Sequence, residues 1–177
     1  MSDGLFVNAL LRETGRPLTP EQVEKFQKFH SEAYLKQVQQ VQPLPGAKEL
    51  LKSLTKARVK WAIASSGRIG FARPSLDALE LPSSVPVTRD QVERAQPDPD
   101  LFLAAAAKLR VGIANSIAVG DSVWDPLATR RARALGVGVL SGGYGQDELE
   151  RAGAYRVYQD PYDLLKHLYD LGVRTPA

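Results

Sequence analysis

The chain has 177 residues, a net charge of +3, 44% hydrophobic residues and no cysteine. That length supports one sizeable core with a small accessory piece, and the missing cysteines exclude disulfides, thiolate metal sites and a cysteine nucleophile. No apolar run approaches the roughly 18 residues of a membrane span, the small charge leaves no nucleic-acid footprint, and the opening MSDGLFVNALLRETGRP lacks a secretory pattern, so the expectation is a cytoplasmic protein that engages neither membrane nor nucleic acid.

GLFVNALLRET puts Leu5, Phe6, Ala9 and Leu10 on one broad apolar face and predicts a helix. TPEQVEKFQKFHSEAYLKQVQQV predicts a second, with Thr19 as N-cap, Pro20 at the first helical position and Gln22 placed to reach back to the cap's N–H. After QPLPG the pattern changes to alternating helix and strand. Residues 46–57 predict an amphipathic helix burying Leu50, Leu51 and Leu54; VKWAIA (59–64) predicts a strand, SSG (65–67) a loop, 70–81 a helix containing Pro74, and VPVT (85–88) a short strand. PDLFLAAAAKL (99–109) predicts a helix with Asp98 as N-cap and Pro99 at its first position. SIAVG (116–120) predicts a strand, and 125–135 a helix whose arginines in TRRARAL (129–135) form a solvated face. VGVL (137–140) and GAYRVY (153–158) are further strands, and PYDLLKHLYDLG closes the chain as a helix with Leu164, Leu165 and Leu168 buried and Gly172 as its stop. Short, nearly all-apolar strands alternating with helices imply an α/β fold: a parallel sheet covered on both faces. The division is a helical piece over 1–42 and an α/β core over 43–177.

In an open parallel sheet, ligands bind beyond the carboxyl ends of the strands. VKWAIA is followed by Ser65, Ser66 and Gly67, which read either as a turn before a helix or as an anion cradle of hydroxyls and N–H groups. SIAV is followed by Gly120, Asp121 and Ser122, and Asp121 stands where a strand-end carboxylate reaches a divalent cation. Asp125 precedes Pro126, so it reads as a helix N-cap or as a second working carboxylate. SGGYGQDE (141–148) has no GxGxxG spacing and reads as a plain loop, which leaves a nucleotide-binding Rossmann domain unsupported. His30 and His167 lack metal-ligand spacing and, with Trp61 and Trp124, read as packing or surface residues.

Taken in order, WAIASSG, ERAQPDPDLFLAAAAKL and IAVGDSVWD resemble the second, third and fourth motifs of the haloacid dehalogenase-like (HAD) phosphohydrolases. The likeness runs from PLPGAKELL to the C-terminus, about three quarters of the chain. It implies a Rossmann-like parallel sheet flanked by helices, a partial helical cap at the N-terminus, and a phosphatase of small phosphorylated metabolites. By the resemblance, Ser65 with Ser66 and Gly67 binds the phosphoryl group, Asp121 is a Mg²⁺ ligand, and Asp125 supports the metal shell. Two departures bear on activity. Gln96 occupies the usual lysine position and brings hydrogen bonds but no charge. The family's Asp-x-Asp-Gly-Thr motif, which carries the nucleophile and the general acid/base, has no match; MSDGLFVNALLRETGRPL resembles the middle of the cap, so the chain opens partway through it. The resemblance therefore implies negligible phosphatase activity and Mg²⁺ held weakly or not at all. It also implies that strands 59–64 and 116–120 pair directly, or that another segment or chain, a second copy included, fills the place between them. The alternative is a non-catalytic HAD-like binding module completed in trans.

Overall fold

The computed structural model describes residue 15 and residues 18–80, 86–94 and 96–174; the helix expected at residues 5–10 lies outside these. The first described helix, α1 (Pro20–Gln37), starts as its sequence dictates. The Thr19 hydroxyl accepts from Gln22 N at 3.3 Å, and the Gln22 side chain accepts from Thr19 N at 2.9 Å, a closed capping box. A 3₁₀ turn (Val38–Gln40) leads toward α2 (Ala47–Lys56), whose Leu50 packs against the buried cluster of Val137, Val139, Tyr158 and Leu164. Leu50, Leu51 and Leu54 are half-buried rather than buried.

The strand expected at 59–64 is shorter: β1 is Ile63–Ser65. Val59 N donates to Leu54 O at 2.9 Å and Arg58 N to Thr55 O at 3.0 Å, so these residues close the end of α2 instead of extending the sheet. Trp61 stays outside the strand and donates to Thr55 Oγ1 at 2.9 Å. Helix α3 (Ile69–Ala78) carries Pro74 in its interior, and β2 (Pro86–Thr88) is fully buried. Helix α4 (Asp100–Leu109) has Pro99 rather than Asp98 at its N-cap; the Asp98 carboxylate instead lies 3.9 Å from both Arg94 and Arg131. Strand β3 (Ile117–Gly120) is followed by α5 (Trp124–Ala132), which stops where Arg133 takes φ 61° and Ala134 N bonds Thr129 O at 3.0 Å. That early stop frees Leu135 to open β4 (Leu135–Val139), ahead of its expected start at Val137.

The glycine-rich stretch after β4 is not all loop. Helix α6 (Gln146–Ala152) grows out of it, with the Glu148 side chain accepting from Gly145 N at 2.8 Å and Leu149 fully buried. β5 (Arg156–Tyr158) and α7 (Pro161–Lys166) complete the core, and α7 starts at Asp160, whose side chain accepts from Asp163 N at 2.8 Å. Beyond it, a 3₁₀ turn (Leu168–Leu171) buries Leu168 and ends at Gly172 with φ 78°; Leu164 is buried and Leu165 half-buried.

Every strand pairing is parallel, as expected for this α/β class, but the strands form two sheets. One has the order β1–β2, with Ser65 opposite Thr88, and the other β3–β4–β5. The expected direct pairing of β1 with β3 is not formed, and among the described residues no strand lies between them. The halves are joined by helices instead. α4 packs on β1 and β2, α5 on β3 and β4, and the two helices pack on each other. Leu101 on α4 and Ala128 on α5 are both fully buried. Coverage of both sheet faces fails at β3, where Ile117 and Val119 are 40% and 46% exposed; among the described residues this strand pairs with β4 only. Among the described residues no helix is long and apolar enough to cross a membrane.

The contact between α2 and α7 makes the fold sensitive at one glycine. Gly46 caps α2 with φ 78°, and a Cβ there would collide with the Tyr162 backbone, 2.7 Å from its N. Gly46→Ala is expected to lose about 2–3 kcal/mol of stability through overpacking and left-handed strain, read as a lower midpoint in urea unfolding.

Candidate active site between the two sheets

The carboxyl ends of β1 and β3 open onto one cleft of about 1250 Å³. Ser65, Ser66, Gly67, Gln96, Asp121 and Asp125, the residues singled out by the sequence, all line it. Helix α1 contributes Lys28, His30 and Tyr34 to its wall. The Tyr34 hydroxyl donates to Phe71 O at 3.1 Å and lies 3.3 Å from Ser75 Oγ, fastening α1 to α3 beside the cleft.

On the β1 side, Ser65 Oγ accepts from Gly67 N at 3.2 Å, and Gly67 O accepts from Arg89 N at 3.2 Å. The loop is thereby closed against the end of β2, and the Ser65 hydroxyl keeps its own proton to donate. On the β3 side, Asp125 sits in the first turn of α5 rather than at the cap, which is Val123. Its carboxylate bends back to the strand end. Oδ2 accepts from Ser122 N at 3.0 Å and Ser122 Oγ at 2.7 Å, while Oδ1 accepts from Gln96 Nε2. Burial pushes the Asp125 carboxyl above the ordinary aspartate range; the Ser122 hydroxyl and N–H pull it back, the Asp121 charge pushes it further up, and Gln96 again favours the charged form. Asp121 is exposed, and none of the described residues hydrogen-bonds its carboxylate.

Two glycines make room for these carboxylates. A Cβ on Gly120 would overlap the Asp125 carboxylate, and one on Gly142 would strike the Asp121 backbone and come within 2.7 Å of its Cγ. Gly142 belongs to the stretch that reads as a plain loop, so its part in the site is a correction; a small residue after a neighbouring strand end was the one signal available. The arginines of TRRARAL are exposed, as expected of a solvated face, and Arg131 Nη1 in addition donates to Pro97 O at 2.9 Å, tying α5 to the Gln96 loop. Trp124 lines the cleft with its Nε1 buried and unpartnered, whereas His167 packs away from the site, stacked on Tyr158 at 5.7 Å.

The described residues do not by themselves fit a Mg²⁺ centre. Mg²⁺ takes six oxygens in near-octahedral geometry. Both oxygens of Asp125 are engaged by Ser122 and Gln96, which leaves Asp121, and among the described residues no group of three or more His, Asp or Glu is placed to hold a metal.

Comparison with known proteins agrees with the architecture. The family model for haloacid dehalogenase-like hydrolase matches residues 4–133. Hexitol phosphatase A of Escherichia coli is 39% identical over 80 residues, 45% of this chain and 37% of that protein. A hydrolase from Pseudomonas syringae superposes with a TM-score of 0.91 at 51% identity, covering 97% of this chain and 79% of that one. A HAD family hydrolase from Deinococcus radiodurans, solved with bound phosphate and sodium, superposes with a TM-score of 0.73 at 26% identity, covering 97% and 77%. The matches to the first curated relatives span between 37% and 56% of those proteins' lengths.

Asp125 yields a pH prediction. Folding raises its proton affinity, so its contribution to stability is fully present below the ordinary aspartate value, about 3.9, and is lost as pH rises through the raised value. Asp125→Asn should lack that loss in urea unfolding followed against pH. Gln96→Leu, by removing a donor to the charged form, should move the Asp125 midpoint still higher in a carbon-13 carboxyl titration.

Proposed function

Because the chain belongs to the haloacid dehalogenase-like hydrolases, and phosphatases are among its relatives, we propose that the cleft binds the phosphoryl group of a small phosphorylated metabolite. The observation that carries this reading is the convergence of Ser65, Gly67, Gln96, Asp121 and Asp125 on one cleft from two separate sheets. The Ser65 hydroxyl donates to a phosphoryl oxygen, the Ser66–Gly67 loop shapes the cradle, and Gln96 holds Asp125 so that the two aspartates face the same space.

Turnover is a separate matter. HAD chemistry displaces the leaving group through an aspartyl-phosphate, and it relies on positioning and charge stabilisation. Among the described residues, the carboxylates lining the cleft are Glu24 on α1, Asp121 and Asp125. Both oxygens of Asp125 are occupied, and Gln96 brings no charge. Loss of one preorganised stabilising group typically costs about 3–4 kcal/mol of transition-state stabilisation. On the described residues, the chain therefore binds phosphate esters and hydrolyses them negligibly.

A second reading, a binding module completed by another chain, is favoured by β3, which pairs with β4 alone and exposes Ile117 and Val119. A unit of that kind acts by binding and shows no turnover with or without its partner, and a second copy of this chain as partner would appear as a dimer in sedimentation.

The direct test adds p-nitrophenyl phosphate and Mg²⁺ to the purified chain and follows amide signals during titration with inorganic phosphate. The expected result is a background rate together with saturable shifts at Ser65, Ser66 and Gly67. Turnover that disappears in Asp121→Asn would overturn the inactive reading.

A further inference from the structure

We infer that Arg89 supplies the positive charge that receives a dianionic phosphoryl group in this cleft. The inference rests on the phosphate-site reading above and names the cation of that site. Arg89 follows Thr88, which stands opposite Ser65 in the β1–β2 ladder, and its N–H donates to Gly67 O at 3.2 Å. Its backbone is thus fixed beside the loop that carries the hydroxyls. Arg89 is half-buried and is one of the residues lining the cleft, with Nη1 donating to Val92 O and Nη2 to Glu93 O at 2.9 Å at its edge.

Both of those acceptors are neutral carbonyls. They aim the head group without balancing its charge, and among the described residues no carboxylate forms an ion pair with Arg89. A guanidinium has five N–H donors, so about three remain for a ligand. A partly desolvated cation without a counter-ion is the arrangement that an incoming anion stabilises, and the planar fork suits phosphate oxygens.

The other cations at the cleft are less suited. Arg68 lies 3.5 Å from the Asp90 carboxylate, which answers its charge. Lys28 belongs to α1, not to the strand ends that carry Ser65 and Asp121. Gln96 has no charge to give, and its amide is committed to Asp125. The Val92–Glu93 turn that grips the Arg89 guanidinium precedes, in sequence, Gln96, the position at which the resemblance expects a lysine.

The test is calorimetric titration of inorganic phosphate into the wild-type chain, Ser65→Ala, Arg89→Met, Arg89→Lys, and Arg89→Met combined with Gln96→Lys, with unfolding midpoints recorded for each. Arg89→Met is expected to weaken phosphate binding about tenfold, the scale of one charge-assisted hydrogen bond, and to flatten its dependence on salt. Arg89→Lys should fall between wild type and Arg89→Met, and the added lysine at position 96 should recover binding without recovering the contacts to Val92 and Glu93. If Ser65→Ala weakens binding while Arg89→Met leaves it unchanged, or if Arg89→Lys and Arg89→Met lose equally, the role of Arg89 is overturned and the phosphate site stands. If the wild-type chain shows no saturable phosphate binding, the phosphate-site reading falls, and the role of Arg89 falls with it.

Discussion

The Asp125 carboxylate is the polar joint of this molecule. One of its oxygens takes Gln96, which arrives from the β1–β2 half, and the other takes Ser122, at the end of β3. A buried carboxylate is costly unless its lone pairs are met by donors, and here both oxygens are met. The same bonds that compensate the charge hold two separate sheets in one orientation, while α4 packed on α5 supplies the apolar share of the joint. Gly120 is required for the carboxylate to lie so close to the strand end, and Arg131, bonded to Pro97 O, keeps the Gln96 loop from drifting away.

The cleft follows from that joint. Two parallel sheets whose strand ends face a common space, with β1 and β3 not paired to each other, leave a rim of hydroxyls and carboxylates to which Arg89 adds a side chain that no described carboxylate pairs. Polarity is divided between the walls: Ser65 and Arg89 on the β1–β2 side donate, whereas Asp121 on the β3 side accepts. Helix α1, pinned through Tyr34 to α3, lies over this rim and adds Lys28 and His30 to its lining. That division of donors and acceptors is suited to holding a phosphate ester. Of the carboxylates that line the cleft, Asp125 has both oxygens engaged, whereas none of the described residues hydrogen-bonds Asp121.

Local grammar was readable wherever neighbours in sequence are also neighbours in space. The Thr19–Gln22 capping box, the stop at Gly172 and the strand ending at Gly120 each depend on a few adjacent residues. The errors share one cause. Asp98 is a good cap residue by type, but two arginines, one of them on α5, draw its carboxylate away. Val59 has a strand former's side chain, but its N–H closes the end of α2. The stretch at 141–148 looked like loop because its glycines dominate, yet Leu149 buries itself completely and draws a helix out of it.

From the sequence alone came the α/β class, most helices and six site residues, five polar ones and Gly67, because periodicity, caps and turn chemistry act over a few residues. Only the tertiary structure decided that these six share one cleft, that β1 and β3 remain in separate sheets, that Gly142 backs Asp121, and that no described carboxylate pairs with Arg89. Those outcomes depend on groups far apart along the chain, such as Gln96 and Asp125, whose meeting requires α4 and α5 to pack first. No pattern of local propensity encodes such a meeting; it follows from the burial and hydrogen-bond satisfaction of the whole fold.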